Sequence, residues 1–242
     1  MTIVIPMAGL SNRFANAGFT LPKYMLYVGN KSLFYLSLIG FESLFKEHVF
    51  VFVLRNVFDS EKFVIKECEL LGITFYEIIV LNEPTKGQAE TVYLGLTKSQ
   101  VVKNDEMLIY NIDTFRTNFK LPLNFQNWNG YLEVFNGEGD NWSYAKTEND
   151  FSTKVIKTAE KKQISQYCST GLYYFESSNL FKLAYKNYYL SNENIEERYI
   201  APMYNLLIEK GYDIHINVIN KNDVVFCGIP EEYYEYVKLI FA

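Results

Sequence analysis

Apolar runs and helical patterns alternate along the first half of the chain, and this alternation constrains the fold more than any other feature. Runs suited to buried strands cover residues 2–7, 49–54 and 73–81, and amphipathic helices are predicted from Ser32 and Ser60. Strands that are joined by helices lie parallel in one sheet, with the helices packed on its faces. The pattern therefore predicts an α/β, Rossmann-like fold whose ligands bind beyond the carboxyl ends of the strands.

The second half of the chain has shorter and less regular elements. Polar turns separate segments with strand character at 130–135, 143–146, 154–157, 169–175 and 214–219. Helices are predicted at three places in this half, from Ser177 or Ser178, over 199–210 and after Pro230. Residues 192–197 are predicted to form a polar loop. No linker interrupts the sequence, so residues 1–242 are predicted to form a single domain.

Charge and composition argue against several classes of protein. The formal net charge of −5 argues against a nucleic-acid-binding surface, which is normally basic. No apolar run reaches the ~20 residues that cross a bilayer and no leader-like stretch is present, so we expect a cytoplasmic protein without membrane insertion. Cys68, Cys168 and Cys227 lie far apart, which indicates buried reduced thiols rather than a disulfide set or a zinc site.

A loop of small residues follows the first strand and ends on a cation. Residues 8–12 read Ala-Gly-Leu-Ser-Asn, Arg13 comes next, and Pro22 then precedes Lys23. Such a loop leaves several backbone N–H groups pointing one way, which suits a polyphosphate, and Arg13 and Lys23 could neutralise its charge. The alternative is an ordinary strand-to-helix turn with two solvated cations.

Two further polar segments fall where strands of the predicted sheet end. Residues 87–89, Gly-Gln-Ala, open a helix after the third strand, and the side chain of Gln88 could read the edge of a nucleobase. Asp113 ends the apolar run that begins at Met107, where its carboxylate could hold a divalent cation bridging phosphate oxygens. The alternatives are a plain helix N-terminus capped by Thr85 and a turn aspartate.

In this order, the motifs resemble the signature of the sugar-phosphate nucleotidylyltransferases. In that family the first strand is followed by a pattern close to A-[AG]-G-x-G-[ST]-R and then by P-K. Residues 8–13 and 22–23 resemble this pattern, with Ser11 in place of the second glycine. Residues 87–89 resemble the segment that lines the family's base pocket. Glu160-Lys161, followed by Thr170-Gly171, is similar to the family's acceptor half, so the resemblance extends from Ile3 to Glu231.

The resemblance implies a fold and a reaction. The fold is a Rossmann-like, GT-A-like three-layer sandwich with a mixed, mostly parallel central sheet. Its nucleotide-binding half would cover about 1–118 and its acceptor-binding half about 119–242. The reaction joins a nucleoside triphosphate to a phosphorylated small-molecule acceptor with Mg²⁺ and releases pyrophosphate.

The resemblance also implies roles for individual residues. The catalytic residues would be Arg13, Lys23, Asp113 and Lys161, with Asp113 also the metal ligand. The nucleotide would contact the loop after the first strand, the base segment and the end of a later strand, at Ala8, Gly9, Leu10, Ser11, Asn12, Gly87, Gln88, Ala89 and Asn111. The acceptor would contact the second half of the chain, at Glu160, Lys161, Thr170, Gly171 and Glu197.

The start of the chain implies a narrower assignment. Ile-Pro-Met-Ala-Gly at residues 5–9 resembles proteins found with capsule or surface-polysaccharide genes, so the expected acceptor is a sugar phosphate or a small phospho-alcohol such as phosphocholine. CTP is the expected nucleotide, because relatives of this size that work on small phospho-acceptors often use it. The sequence leaves the base, the acceptor and the oligomeric state open, a homo-oligomer included.

One departure from the family concerns the metal site. Phe226 stands where many members place a second metal-binding aspartate, and Asp223, Glu197 or Asp213 could substitute for it. Two other functions remain as alternatives. The first is a glycosyltransferase of the same general fold, although residues 111–113 hold only one acid of its usual Asp-x-Asp motif. The second is a non-catalytic relative that binds nucleotide without turnover.

Overall fold

The computed structural model describes residues 1–191 and 194–241. The strands in this part of the chain are β1 Thr2–Pro6, β2 Tyr27–Val28, β3 Lys31–Ser32, β4 Val49–Arg55, β5 Tyr76–Leu81, β6 Met107–Tyr110, β7 Thr114–Arg116, β8 Gly130–Asn136, β9 Ser143–Thr147, β10 Val155–Glu160, β11 Tyr167–Phe175, β12 Ile214–Val218 and β13 Val224–Phe226. The α-helices are α1 Asn12–Asn16, α2 Leu33–Leu38, α3 Ser60–Leu71, α4 Gln88–Lys98, α5 Ser178–Tyr185, α6 Met203–Glu209 and α7 Pro230–Phe241.

One mixed sheet of nine strands runs through the centre, and the predicted fold class is confirmed. Its strands follow the order β5-β4-β1-β6-β11-β9-β10. Strand β8 also pairs with β11, and β12 pairs with β8. Strands β5, β4, β1 and β6 are parallel, as their long crossover connections require. Strand β11 runs antiparallel to β6 and joins the later strands to the earlier ones. Both halves of the chain therefore contribute to one sheet.

Alternate residues of the central strands enter two cores, one on each face of the sheet. Ile3 and Ile5 of β1 pack into the core beneath α2 and α3, whereas Val4 packs into the core beneath α4, α5 and α6. All three side chains are fully buried. Since side chains of a strand point alternately to opposite faces, a run that is apolar at every position needs a cover on both sides. The helices supply it, which gives the predicted three layers.

Helix boundaries agree with the predicted caps in two places. Ser32 caps α2, because its hydroxyl accepts a hydrogen bond from the N–H of Tyr35 at 3.0 Å. Ser177 rather than Ser178 caps α5, and its hydroxyl accepts from the N–H of Leu180 at 3.1 Å. Both bonds satisfy N–H groups that the first turn of a helix leaves without an internal partner.

Several elements differ from the prediction. The helix predicted over 199–210 begins only at Met203, because Pro202 disfavours a helical conformation in the residue before it. The run from Met107 breaks into β6 and β7 at a turn that contains Asp113. The small-residue loop contains a short helix, α1, that the sequence analysis did not predict. Of the predicted polar loop, residues 192 and 193 lie outside the described residues.

The three cysteines are free and buried, as predicted. Burial raises the pKa of the Cys68 thiol to about 12, which keeps it protonated at neutral pH. Among the residues that the structure describes, each helix is too short or too polar to cross a bilayer.

Candidate active site

A cavity of about 620 Å³ lies at the carboxyl edge of the parallel strands. This is the edge at which open α/β sheets bind their ligands. Most of the predicted site residues line the cavity, namely Gly9, Ser11, Asn12, Arg13, Lys23, Gly87, Gln88, Asn111, Asp113, Glu160, Lys161, Thr170, Gly171 and Glu197. Three predicted residues do not line it. Ala8 and Ala89 are buried in a core, and Leu10 is 50% exposed outside it.

Ser11 gives the loop after β1 its shape. Its backbone is left-handed, with φ 52° and ψ 35°, and it occupies the N-cap position of α1. This is the position at which the family pattern has glycine, the residue that adopts such angles most easily. From the other side, Arg55 at the end of β4 donates from Nε to the carbonyl oxygen of Ala8 at 3.0 Å. The sequence analysis missed Arg55, because only the pairing of β1 with β4 brings it to the loop.

Lys23 and Asp113 form an ion pair inside the cavity. Lys23 follows Pro22 in a 3-10 turn, and Asp113 follows β6. Their side chains are 23% and 19% exposed, so both charges keep partial access to solvent and to a ligand. The carbonyl of Asp113 also accepts from the N–H of Cys227 at 2.8 Å, which ties the turn to the segment before α7. The arrangement places a cation and a carboxylate side by side.

Glu232 is a second carboxylate in this region, and the sequence analysis missed it. Its Oε2 accepts from the N–H groups of Gly228 at 2.8 Å and of Ile229 at 3.2 Å. Burial raises the pKa of Glu232, against the lowering effect of these two hydrogen bonds. The signal that could have found it is its place in the first turn of α7, one residue beyond the family-like string that ends at Glu231.

The other acids suggested as substitutes lie differently. Asp213 is bonded to His215 at 2.9 Å and to Lys154 at 3.3 Å, away from the cavity lining. Asp223 also lies outside the lining. Glu197 lines the cavity but pairs with Lys161. Of the acids considered, only Glu232 therefore lies beside Asp113.

Asp113 and Glu232 are the two carboxylates that could together hold a divalent cation. A Cβ built on Gly228 would lie 3.1 Å from Oδ2 of Asp113 and 3.7 Å from Oε2 of Glu232, so glycine leaves room between the two carboxylates. Carboxylate oxygens are ligands that Mg²⁺ prefers. No group of three or more potential metal ligands occurs in the described part of the chain, so phosphate oxygens or waters would have to complete the coordination.

The base segment is held against a loop from the second half of the chain. The N–H of Ala89 donates to the carbonyl of Arg198 at 2.9 Å, and the N–H of Arg198 donates to the carbonyl of Lys86 at 2.8 Å. Gly87, with φ 143°, lies so close that a Cβ there would be 2.7 Å from the Arg198 oxygen. Thr85 does not cap α4, since Gly87 holds that position. Only glycine fits between the two loops.

Gln88 and Asn111 connect the base segment to the end of β6. Nε2 of Gln88 donates to Oδ1 of Asn111. Both side chains line the cavity, and Gln88 is half-buried. The bond fixes the orientation of the Gln88 amide relative to the sheet edge.

A bulge in β11 brings Thr170 and Gly171 into the cavity. The register of β11 against β8 shifts between Ser169 and Tyr173, and Gly171 has φ 87°. A Cβ on Gly171 would lie 2.4 Å from Nδ2 of Asn111. Bulges re-aim side chains next to active sites in many sheets. Here the bulge turns part of a central strand towards the ligand space.

A buried ion pair supports the bulge from behind. The hydroxyl of Thr170 donates to Oε1 of Glu133 at 3.0 Å, and the same oxygen accepts from Nε of Arg116 at 2.8 Å. The side chains of Arg116 and Glu133 are only 5% and 1% exposed. Burial raises the pKa of Glu133, while Arg116 and Thr170 favour its charged form. The network fixes the position of Thr170.

Lys161 lies across the cavity, directly after β10. Its ammonium contacts Oε2 of Glu197 at 3.3 Å and donates to the hydroxyl of Tyr199. The hydrogen bond to Tyr199 raises the pKa of Lys161, so the side chain stays charged. Its backbone N–H donates to the carbonyl of Trp142 at 2.9 Å. The sequence analysis missed Trp142 and Tyr199, because no local pattern reveals which residues face Lys161.

Neither the comparison with protein-family models nor that with curated proteins gives a match. Solved structures do match. A nucleoside-diphosphate-sugar pyrophosphorylase from Vibrio cholerae RC9 is 48% identical, with 98% of this chain and 99% of that chain covered and a TM-score of 0.93. An inositol-1-phosphate CTP transferase from T. maritima is 13% identical, with 99% and 95% covered and a TM-score of 0.76. A UTP-bound UGPase from Acinetobacter baumannii is 16% identical, with 99% and 92% covered and a TM-score of 0.72.

These similarities differ in what they establish. The two distant structures share the fold alone with this chain. An identity of 48% over nearly the full length of both chains establishes the family, and it decides against the glycosyltransferase alternative. The chain therefore belongs to the sugar-phosphate nucleotidylyltransferase family, whose motifs its sequence resembles, and is an enzyme of the nucleotidyltransferase type.

Proposed function

We propose that the enzyme transfers a nucleotidyl group from a nucleoside triphosphate to the phosphate of a small acceptor and releases pyrophosphate. The observation that carries the proposal is the distribution of cations in one cavity. Arg13 and Lys23 lie in the first half of the chain, and Lys161 faces the same space from the second half. Two separate groups of positive charge suit two phosphorylated substrates that must meet.

The proposed reaction is an in-line displacement at phosphorus. An oxygen of the acceptor phosphate forms a bond to the α-phosphorus, the bond from that phosphorus to the bridging oxygen breaks, and pyrophosphate leaves with the electron pair. No general base is required, because the acceptor phosphate is already ionised at neutral pH. Catalysis then consists mainly of positioning and of offsetting charge.

The side chains divide this work between them. Lys161 holds the acceptor phosphate, and its contact with Tyr199 limits the directions in which its ammonium can point. Lys23 and Arg13 offset the charge of the triphosphate and of the departing pyrophosphate. Gly9, Ser11 and Asn12 line the cavity at the start of α1, where their backbone would lie beside the same phosphates.

Asp113 and Glu232 are the residues that would hold Mg²⁺. When bound, the ion would polarise phosphate oxygens and neutralise part of their charge. Gly228 supports this role because its lack of a side chain keeps the space between the two carboxylates open. Glu232 would take the place of the aspartate that Phe226 replaces.

The base preference that we propose is for cytosine. Nε2 of Gln88 donates to Asn111, and we propose that Oε1 is the Gln88 atom that faces the base. A carbonyl oxygen accepts hydrogen bonds, and cytosine presents an exocyclic amine where uracil and thymine present another acceptor. Gln88 therefore favours CTP over UTP and dTTP.

The product is proposed to serve capsule or surface-glycan synthesis in the cytoplasm. The support is the Ile-Pro-Met-Ala-Gly start, which resembles proteins found with such genes. The acceptor is then a sugar phosphate or a small phospho-alcohol.

Pyrophosphate release with Mg²⁺ tests the proposal directly. CTP, UTP, dTTP, GTP and ATP are each combined with a panel of sugar 1-phosphates, phosphocholine and glycerol phosphate. We expect release that needs one nucleotide, CTP, together with one class of acceptor. Release with UTP but not with CTP would overturn the base assignment. Nucleotide binding without release from any pair would favour the non-catalytic alternative.

A further inference from the structure

An aromatic wall lies beside the lysine that would hold the acceptor phosphate. We define it as Trp142 and Phe226, which both line the cavity and whose ring centroids are 4.6 Å apart. The carbonyl of Trp142 accepts from the N–H of Lys161 at 2.9 Å, so the wall starts next to that residue. Phe226 stands where the family pattern has an acid. The chain therefore has an aromatic ring at position 226, where that pattern has a charged side chain.

The wall is built rigidly. Phe135 is buried behind it, with its ring centroid 5.1 Å from that of Trp142 and 5.2 Å from that of Phe226. Trp142 and Phe226 are themselves only partly buried, so they present ring surface to the cavity. An exposed aromatic surface that is fixed from behind loses little side-chain freedom when a ligand binds to it.

The carboxylates around this wall outnumber the cations. Glu138, Glu160 and Glu197 line the acceptor side of the cavity, where Lys161 is the cation in the lining. Lys161 is already paired with Glu197 at 3.3 Å. Within the described part of the chain, Glu138 and Glu160 form no ion pair. A ligand that brought only a phosphate would add further negative charge to this side of the cavity.

Some hydrogen-bond donors of the side chains around the wall are already used within the protein. Ser143 donates to Glu160, Lys161 donates to Tyr199, and Thr170 donates to Glu133. Glu160 and Glu138 can only accept when ionised. A ligand group that supplies hydrogen-bond donors or positive charge therefore suits this place.

The geometry points to an acceptor that carries a positively charged ammonium group as well as its phosphate. The phosphate binds Lys161, and the ammonium lies against Trp142 and Phe226, where Glu138 and Glu160 offset its charge. Aromatic faces attract ammonium ions through the ring quadrupole, most strongly when water is excluded. This inference rests on the proposed nucleotidyl transfer, whose acceptor it narrows from any phosphorylated small molecule to a phosphorylated amine.

Tryptophan fluorescence can measure acceptor binding without turnover. The chain has two tryptophans, and Trp128 lies outside the cavity, stacked on His215 at 4.6 Å. In a Trp128→Phe background, Trp142 alone reports on the wall. The ligands are phosphocholine, phosphoethanolamine, a sugar 1-phosphate and dimethylbutyl phosphate, in which carbon replaces the nitrogen of phosphocholine.

We expect the two amines to bind about tenfold or more tightly than dimethylbutyl phosphate and the sugar 1-phosphate, because a desolvated cation–π contact favours an ammonium over an uncharged group. Phosphocholine and phosphoethanolamine separate a trimethylated from a primary ammonium. Phe226→Leu and Glu138→Gln should reduce this preference and leave binding of dimethylbutyl phosphate nearly unchanged. Phe151→Leu is the matched control, since Phe151 is fully exposed and outside the cavity.

The same ligands in the pyrophosphate assay separate the two possible failures. Tighter binding and faster release with the sugar phosphate than with either amine would overturn this inference and leave the proposed nucleotidyl transfer intact. Equal binding of the amines and of dimethylbutyl phosphate would also overturn it. If no pair of nucleotide and acceptor released pyrophosphate, the proposed transfer would be overturned instead. The preference for amines in binding, which Trp142 fluorescence measures, does not depend on turnover.

Discussion

Lys23 and Asp113 are 90 residues apart in the chain, and their side chains meet as an ion pair in the cavity. The fold brings them together because the loop after β1 and the turn after β6 leave neighbouring parallel strands at the same edge. The two opposite charges hold each other in place before any substrate binds. The pair therefore presents a preorganised positive charge to the triphosphate and a carboxylate to the cation that accompanies it.

Removing either member of this pair should slow turnover with little effect on folding. We expect Lys23→Met and Asp113→Asn each to lower kcat by about 10²–10³-fold, the loss typical of one preorganised electrostatic contact. The double variant should lose less than the product of the two, because the groups act as a unit. Steady-state pyrophosphate release measures the effect, and circular dichroism checks the fold.

A surface pair provides the control for these variants. Lys62 and Asp59 form an ion pair at 3.2 Å, but their side chains are 81% and 78% exposed. Lys62→Met should leave kcat unchanged. If Lys23→Met retained full activity in the same assay, the assignment of Lys23 to the triphosphate would be wrong.

Ser11 should be a position at which a substitution stabilises the protein. A left-handed backbone destabilises a residue with a Cβ by roughly 1–2 kcal/mol, and glycine lowers stability by roughly 0.5–1 kcal/mol because it has greater freedom in the unfolded chain. Ser11→Gly should therefore raise the free energy of unfolding by up to ~1 kcal/mol, measured by urea denaturation. Ser11→Ala keeps the Cβ and should give no gain. A gain in Ser11→Ala would show that the serine hydroxyl, and not the backbone, causes the strain.

The sequence predicts those parts of the fold that depend on local pattern. Segments in which every residue is apolar identify the strands that are covered on both faces. A polar residue directly after such a segment, such as Asp113, identifies the edge of the sheet where the cavity lies. Serines also identify helix starts, at Ser32 and at the pair Ser177 and Ser178, since a cap acts on the turn that follows it. These features need only neighbouring residues and the direction of a strand.

Other parts of the site depend on contacts between distant segments. Trp142 reaches Lys161 because β9 pairs with β10, and its other neighbour, Phe226, lies in β13. Glu232 reaches Asp113 because α7 starts beside the turn after β6. Pairing and register of this kind follow from the packing of the whole chain, and a single sequence does not record them. The family pattern places the second acid at position 226, so it does not predict a carboxylate from α7 at the site.

Stability should depend on pH through Glu160. Burial raises the pKa of this carboxyl, and the hydrogen bond from Ser143 and the charge of Lys161 only partly oppose it. The folded state therefore favours the neutral form. Its contribution to stability is present in full below the unfolded pKa of about 4.3 and is lost as the pH rises through the higher folded pKa.

Glu160→Gln removes this titration. Relative to the wild type, the variant should gain stability as the pH rises from about 4 through the raised folded pKa of Glu160, and the difference between the two should be constant below that range. Urea denaturation at a series of pH values measures it. Ser143→Ala, with Glu160 kept, should make stability depend more strongly on pH. The hydrogen bond from Ser143 favours the ionised carboxylate, so its loss raises the folded pKa of Glu160 further. A difference that does not change with pH would contradict the raised pKa.

Gly87 should be required for nucleotide binding through its contact with Arg198. A Cβ at this position would lie 2.7 Å from the oxygen and 2.8 Å from the nitrogen of Arg198, so Gly87→Ala must separate the two loops. Since misplacement by about 1 Å can cost 10²-fold in rate, we expect the KM for the nucleotide to rise about tenfold or more. Gly211→Ala is the matched control, because Gly211 also has a positive φ of 83° but a Cβ there would have nothing within 4 Å. Gly211→Ala should lose ~1–2 kcal/mol of stability and keep its KM. The control therefore distinguishes the effect of backbone strain from the effect of displacing the base segment. An unchanged KM in Gly87→Ala would place the base elsewhere in the cavity.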